Sequence, residues 1–227
     1  MAIATRDRPA GPTAPRELAV PRENKTPPVV MWAVVGGAVL VFLAYVLIAW
    51  VAGPYFERVP QGPSDPPTWM HVELIGWQAL SIPVALYLIY RFVIRPWRRE
   101  RRIGVDGLLT IAFATLWVQD PWSSAVDHWF VYNTSMVNFG SWAHSLPWWT
   151  AYGQPGSMTS EPILFTPAAY VYIMLLGAAL GCWVMRRAKA RWPKISTGRL
   201  VLLCFAFMCV FDVVLEGIIW LPLGVFE

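Results

Sequence analysis

Charge is scarce in this chain of 227 residues: 14% are Asp, Glu, Lys or Arg, against 56% hydrophobic, with a mean hydropathy of +0.46. So few charges, confined to short blocks, exclude a soluble domain of this size. Cysteine is scarcer still. Cys182, Cys204 and Cys209 all lie inside apolar runs, and an odd number so placed reads as small buried hydrophobes rather than a disulfide frame or a zinc knuckle. Walker, GxGxxG, GxSxG, HExxH and HxxxH patterns are missing, as is any internal repeat of the transporter kind. The net charge of +4 does not make a nucleic-acid binder, because the basic blocks abut apolar runs as orienting residues do.

One stretch lacks basic residues altogether. From Gln119 to Pro162 there is no lysine or arginine, while tryptophans 122, 129, 142, 148 and 149, His128, His144, Asp120, Asp127 and Glu161 all fall within it. The eighteen basic residues lie elsewhere: five in the N-terminal tail, six from Arg91 to Arg102, six from Arg186 to Arg199, and Arg58 alone.

What is present is hydrocarbon in lengths that match a bilayer. Apolar runs at 29–52, 69–94, 104–118, 163–185 and 200–223 predict an all-α, polytopic transmembrane bundle of about five spans with a long aromatic-rich loop. Residues 1–28, rich in proline, predict a disordered cytoplasmic tail ahead of a single transmembrane domain over 29–227. Pro83 predicts a kink in the second span. Ala33 with Gly37, and Gly177 with Gly181, sit at the small-xxx-small spacing that lets helices approach closely. The distribution of basic residues places the N-terminus in the cytoplasm of a multi-pass cell-membrane protein, with 119–162 on the outer face.

Counting about 1.5 Å per helical residue sets depths. Asp212 comes out roughly 20 Å and Glu216 about 26 Å from the basic end, in a hydrocarbon core of about 30 Å. Asp120 lies near the same level, with Glu161, His71 and Glu73 at or beyond the outer interface. An acid in hydrocarbon costs roughly 2.5–3.5 kcal/mol, and like charges at i, i+4 repel, so Asp212 and Glu216 call for a shared proton or a cation. Blander expectations stand beside this one. Asp106 pairs with Arg102 or a neighbouring arginine, His144 is a surface loop residue, and the five loop tryptophans form an interfacial belt.

Chemically, the set suits acid catalysis. A carboxyl kept neutral can protonate a leaving hydroxyl, while a nearby ionised carboxylate steadies the oxocarbenium ion that results. The candidate catalytic residues are Asp120, Asp127, His128, Glu161, Asp212 and Glu216, with His128 suited to proton shuttling. Trp122, Trp129, Tyr132, Asn133 and Trp142 are the candidate substrate-binding residues, their aromatic faces lining an apolar pocket and favouring a cation. Acids plus His128 are also a set a divalent ion accepts; without histidine-rich spacing, no metal site is assigned.

The phrases GPYFERVP (53–60), RPWRRER (95–101), GVDGLL (104–109), WVQDPWSS (117–124), WFVYNT (129–134), NFGSWA (138–143), EPILFTPAAYVY (161–172), GCWVMRRAKARWPK (181–194) and FDVVLEGIIWLPLGVFE (211–227) resemble the AveC-like spirocyclase family. The resemblance implies spiroketal formation, sometimes with dehydration, on a polyketide- or lipid-like substrate, and no redox cofactor. It carries Asp120, Asn133, Glu161, Asp212 and Glu216 over as motif residues only. It also implies further spans beyond the phrase that ends this chain, so a shortened member with a pocket lacking one wall is expected. The apolar substrate and membrane lipids are the expected partners, with helix association through Gly177 and Gly181. The alternatives are a non-enzymatic membrane scaffold or lipid-binding subunit, and a proton-coupled carrier.

Overall fold

The computed structural model describes residues 28–62, 65–122, 131–147 and 159–226. The expected N-terminal tail, together with Asp127, His128, Trp129, Trp148 and Trp149, lies outside the described residues. The described chain is all-helical. Its helices are α1 (Pro28–Ala52), α2 (Thr68–Glu100), α3 (Val105–Leu116), α4 (Thr166–Arg191) and α5 (Thr197–Trp220). Contacts divide the chain within α1: Met1–Leu40 is one unit and Val41–Glu227 the other. The first is described only as the opening half of α1; the rest of the fold belongs to the second.

Four of these helices are long and apolar enough to cross a membrane: α1, α2, α4 and α5. With twelve residues, α3 rises only about 18 Å. It continues into a 3-10 turn, Trp117–Trp122, whose steeper rise of about 2.0 Å per residue brings the whole run to roughly the thickness of a hydrocarbon core. The polar sequence at Gln119-Asp120-Pro121 therefore tightens the helix, and the chain stays helical through Trp122.

Pro83 does not interrupt α2, which is α-helical from Thr68 to Ile89. The irregularity comes later, as a π turn over Tyr90–Ile94. Just beyond it, Pro96 brings no N–H to the carbonyl of Phe92 four residues back. Gly107, in the first turns of α3, packs onto that carbonyl: a Cβ there would stand 2.5 Å from Phe92 O. Gly107→Ala is expected to lower stability by about 1–3 kcal/mol, because a rigid backbone atom must yield. A thermal unfolding midpoint in mild detergent equal to the parent's would refute this tight contact. Asp106 is exposed beside it, in the turn where a helix dipole favours an acid, and Arg102 reaches Glu100 at 3.5 Å.

Helices α2 and α4 run parallel. Leu74 clusters with Phe165 and Ala169, while Ala85, Leu88 and Ile89 further along meet Ala168, Val171 and Leu175. Ser81 Oγ and Tyr172 Oη, 3.1 Å apart, tie the middles together. Against α4, α5 runs antiparallel, with Gly177 facing Met208 and Gly181 facing Cys204; added Cβ atoms would lie 3.1 and 3.2 Å from those side chains. The GxxxG spacing is thus used within the chain. The two basic blocks consequently share one end of the helices.

The opposite end is closed by the described parts of the long loop. Tyr132 and Phe226 form one isolated antiparallel bridge, and Asn138 and Pro162 another. Asn138 is 1% exposed, accepts from Val59 N at 3.0 Å, and donates to Met136 O. Val137 N donates to Gln78 Oε1 at 3.0 Å, which ties the loop to α2. Trp142, 0% exposed, stacks edge-on against Trp50 and Trp117 with centroids at 5.6 and 5.0 Å. It is a core residue, so the expected belt does not include it.

Candidate functional site

Asp120 sits where the 3-10 turn meets α4. A 3-10 turn repeats every three residues, so Val118 and Pro121 pack inward while Asp120 turns toward α4. Tyr170, one turn into α4, donates from Oη to Asp120 Oδ1 at 2.5 Å. Tyr132, brought in by the loop, donates to Oδ2 at 2.8 Å. Both carboxylate oxygens are thus held by phenols from two other segments, and Asp120 is 8% exposed.

Glu161 is buried nearby, with 3% exposure, and its Oε2 has no hydrogen-bond partner among the described residues. Burial, and then the charge on Asp120, push its carboxyl well above the ordinary value of 4.5. Such a group keeps its proton in the folded protein at pH values where the unfolded chain has lost it. Unfolding then releases a proton, so the stabilisation is full at low pH and is lost as pH rises from about 4.5 toward the folded-state value. Glu161→Gln is expected to flatten the fall of the unfolding midpoint in detergent as the pH rises above about 4.5. A slope identical to the parent's would show that Glu161 does not carry it.

Asp120, Tyr132 and Tyr170 form one wall of a cavity whose opposite wall is α5. It is a small cavity, with a volume of about 100 Å³ and an open mouth. The last part of α5, Val213–Trp220, is wound as a π helix; Glu216 on that stretch and Asp212 just before it both line the cavity. Four residues do put them on one side, as the spacing predicts. They are not buried, however; in the single chain both are exposed at the open edge, whereas Asp120, Glu161 and the carboxyl oxygens of Glu73 are buried. Periodicity reports a shared face and carries no information on what covers it.

The other candidates are dispersed. Asn133 is held by backbone: its Nδ2 donates to Gly224 O at 3.0 Å and its N to Val225 O at 3.0 Å. Trp122 lies beside Asp120 and Tyr170 on a separate, shallower opening. Trp142 donates from Nε1 to Val118 O at 2.6 Å, so it braces the turn that carries Asp120. His144 is half-buried against the Tyr55 ring, 4.6 Å between centroids, and burial pushes its pKa down. Gln78 is tied to Leu74 O and Val137 N. Tyr170 and Thr166 were not anticipated from sequence. The available signal was their i, i+4 spacing directly after Glu161, at the start of an apolar helix.

A family model described as Spirocyclase AveC-like matches residues 100–227, more than half of the chain. The chain belongs to the AveC-like spirocyclase family. The matched AveC-like region contains Asp120, Glu161, Tyr170, Asp212 and Glu216, so the whole acid constellation falls inside it. No curated protein and no solved structure matches the chain.

Proposed function

We propose that this AveC-like protein catalyses dehydrative ring closure, forming a spiroketal from a dihydroxyketone on an apolar polyketide- or lipid-like substrate. The observation that carries the reading is the Asp120 carboxyl, fixed by two phenols in the wall of a cavity with an otherwise largely apolar lining.

The first hydroxyl adds to the ketone to give a hemiketal. Asp120 then protonates the hemiketal hydroxyl, which leaves as water; the resulting oxocarbenium ion is attacked by the second hydroxyl, whose proton returns to Asp120. Protons balance, one water is lost and no electrons are transferred, so redox chemistry is not required. Positioning by Tyr132 and Tyr170 leaves the carboxyl ready on both sides of the transfer. Asp212 and Glu216 place negative charge across the cavity, where the cation develops.

The apolar helices support a membrane setting. The shared basic end favours the cytoplasmic side for that end, with the cavity toward the outer leaflet. The scaffold alternative draws on one observation, the exposure of α5 along its apolar length.

The test is turnover of a dihydroxyketone amphiphile in lipid nanodiscs, followed as loss of one water by mass. The Asp212→Asn, Glu216→Gln double variant is expected to lower the rate above empty nanodiscs roughly 10–100-fold while leaving the unfolding midpoint in place. A parent protein that gives no rate above empty nanodiscs would overturn the cyclase reading.

A further inference from the structure

At the end of the helices away from Asp120, α4 and α5 enclose a second opening. Helix α4 stops because a residue that precedes proline is pushed out of the helical region. Trp192, before Pro193, accordingly has φ −128° and ψ 81°. Ile195 N donates to Trp192 O at 3.0 Å, and Lys189 Nζ ties back to Ile195 O at 3.2 Å. Ser196 Oγ then accepts from Arg199 N at 3.4 Å to start α5. The chain thus reverses between Arg191 and Thr197. The reversal leaves an open cleft of about 580 Å³, lined by Arg191, Trp192, Pro193, Lys194, Ile195 and Arg199.

The three cations of this cleft have no acid beside them. The sequence contains none between Glu161 and Asp212, and the ion pair of Arg102 with Glu100 belongs to the other basic block. Orientation in a membrane needs basic residues on one side and is indifferent to how they are arranged. Here the arrangement is specific. Arg191, in the last turn of α4, is favoured by the helix dipole, whereas Arg199 adds its charge to the positive end of α5, whose first turn has no acid. Cations gathered around one opening repel, and an anion among them reverses the sign of that interaction. The remaining lining is apolar, and the Trp192 ring is 56% exposed, as suits a residue at the level of lipid headgroups.

We propose that the cleft binds the phosphate of an anionic phospholipid. Arg191 and Arg199 donate to its non-bridging oxygens, Lys194 supplies a third positive charge, and the glycerol region lies on Trp192 and Ile195. A zwitterionic lipid brings the same phosphate with a cation that these three groups repel, so the cleft selects a head of net negative charge. The inference rests on the membrane reading of the apolar helices. It is read without turnover, so it stands or falls separately from the cyclase reading.

The test places the full chain in nanodiscs of phosphatidylcholine and phosphatidylglycerol in equal parts, and native mass spectrometry counts the lipids it keeps on release. The parent is expected to keep phosphatidylglycerol roughly tenfold over phosphatidylcholine, and the triple variant Arg191→Gln, Lys194→Gln, Arg199→Gln to fall to within about twofold of parity. Arg98→Gln, Arg99→Gln, Arg102→Gln removes the same charge from the other basic block and is expected to retain most of the preference. Inorganic phosphate, at an ionic strength matched with chloride, is expected to leave it unchanged. If the first triple variant unfolds, Lys194→Gln alone, at an exposed turn position, is expected to lower the preference about two- to threefold. A parent without preference, an equal loss in both triple variants, an unchanged preference in Lys194→Gln, or a loss to phosphate but not to chloride would overturn the proposal.

Discussion

Asp120→Asn is expected to lower dehydrative cyclisation by roughly 10²–10⁴-fold, the range over which a positioned general acid contributes. Asparagine keeps the shape and one acceptor, so one phenol hydrogen bond survives and the wall is nearly intact. What it removes is the proton that leaves with water and comes back from the second hydroxyl. The stereochemical outcome is a second readout, because spiroketals also close without a catalyst: the variant is expected to give the product mixture of empty nanodiscs. Tyr170→Phe separates positioning from chemistry. It deletes the donor to Oδ1 while retaining the acid, and a loss of roughly 10–100-fold follows from one hydrogen bond to the carboxylate that develops as the proton is given up. An Asp120→Asn protein as active as its parent would remove Asp120 from the mechanism.

Trp142→Ala is expected to cost about 3–5 kcal/mol of stability, the largest effect of any single truncation here. The ring is fully buried among Val46, Trp50, Val118 and Leu146, and loss of the indole leaves a void that these rigid neighbours fill only in part. Trp142→Phe distinguishes packing from bracing. It retains a ring but loses the bond from Nε1 to Val118 O, two residues before Asp120. The expectation is a drop of about 1 kcal/mol in stability together with a clear fall in turnover. Thermal unfolding in detergent and the nanodisc assay read the two effects side by side. A Trp142→Ala protein that unfolds at the parent temperature would show that this aromatic cluster adds nothing to stability.

The helices were legible because a bilayer demands a length, and a run of apolar residues either meets it or does not. The basic blocks were legible for a related reason: charge stays at helix ends. Details that depend on two segments meeting were not. That Gly107 receives the Phe92 carbonyl beyond a proline is a tertiary fact with only a local trace, the pairing of Pro96 with a glycine in the next helix. Tyr170 carries no charge and sits in an apolar run; its partner is 50 residues away in sequence. Asp120 and Glu161 stood out as acids flanking a loop without basic residues, and the structure brings both into the buried end of the chain. Asp212 and Glu216 stood out by their depth, yet hydrocarbon depth and burial within one chain are different quantities. Trp142 looked like one member of a belt because composition cannot tell a ring facing lipid from a ring facing another ring.

The 3-10 turn that carries Asp120 gives α3 the character of a ruler. Gly107 fixes one end against α2, and Asp120 lies about 22 Å along it, in the grip of two phenols. Each residue in the turn advances the chain about 2.0 Å and rotates it by about 120°. One residue inserted between Leu116 and Asp120 would swing the carboxyl a third of a circle away from Tyr132 and Tyr170 without touching either. Tolerance to point substitution at the exposed positions of α3 beyond Gly107 and intolerance to any change in its length are therefore expected together.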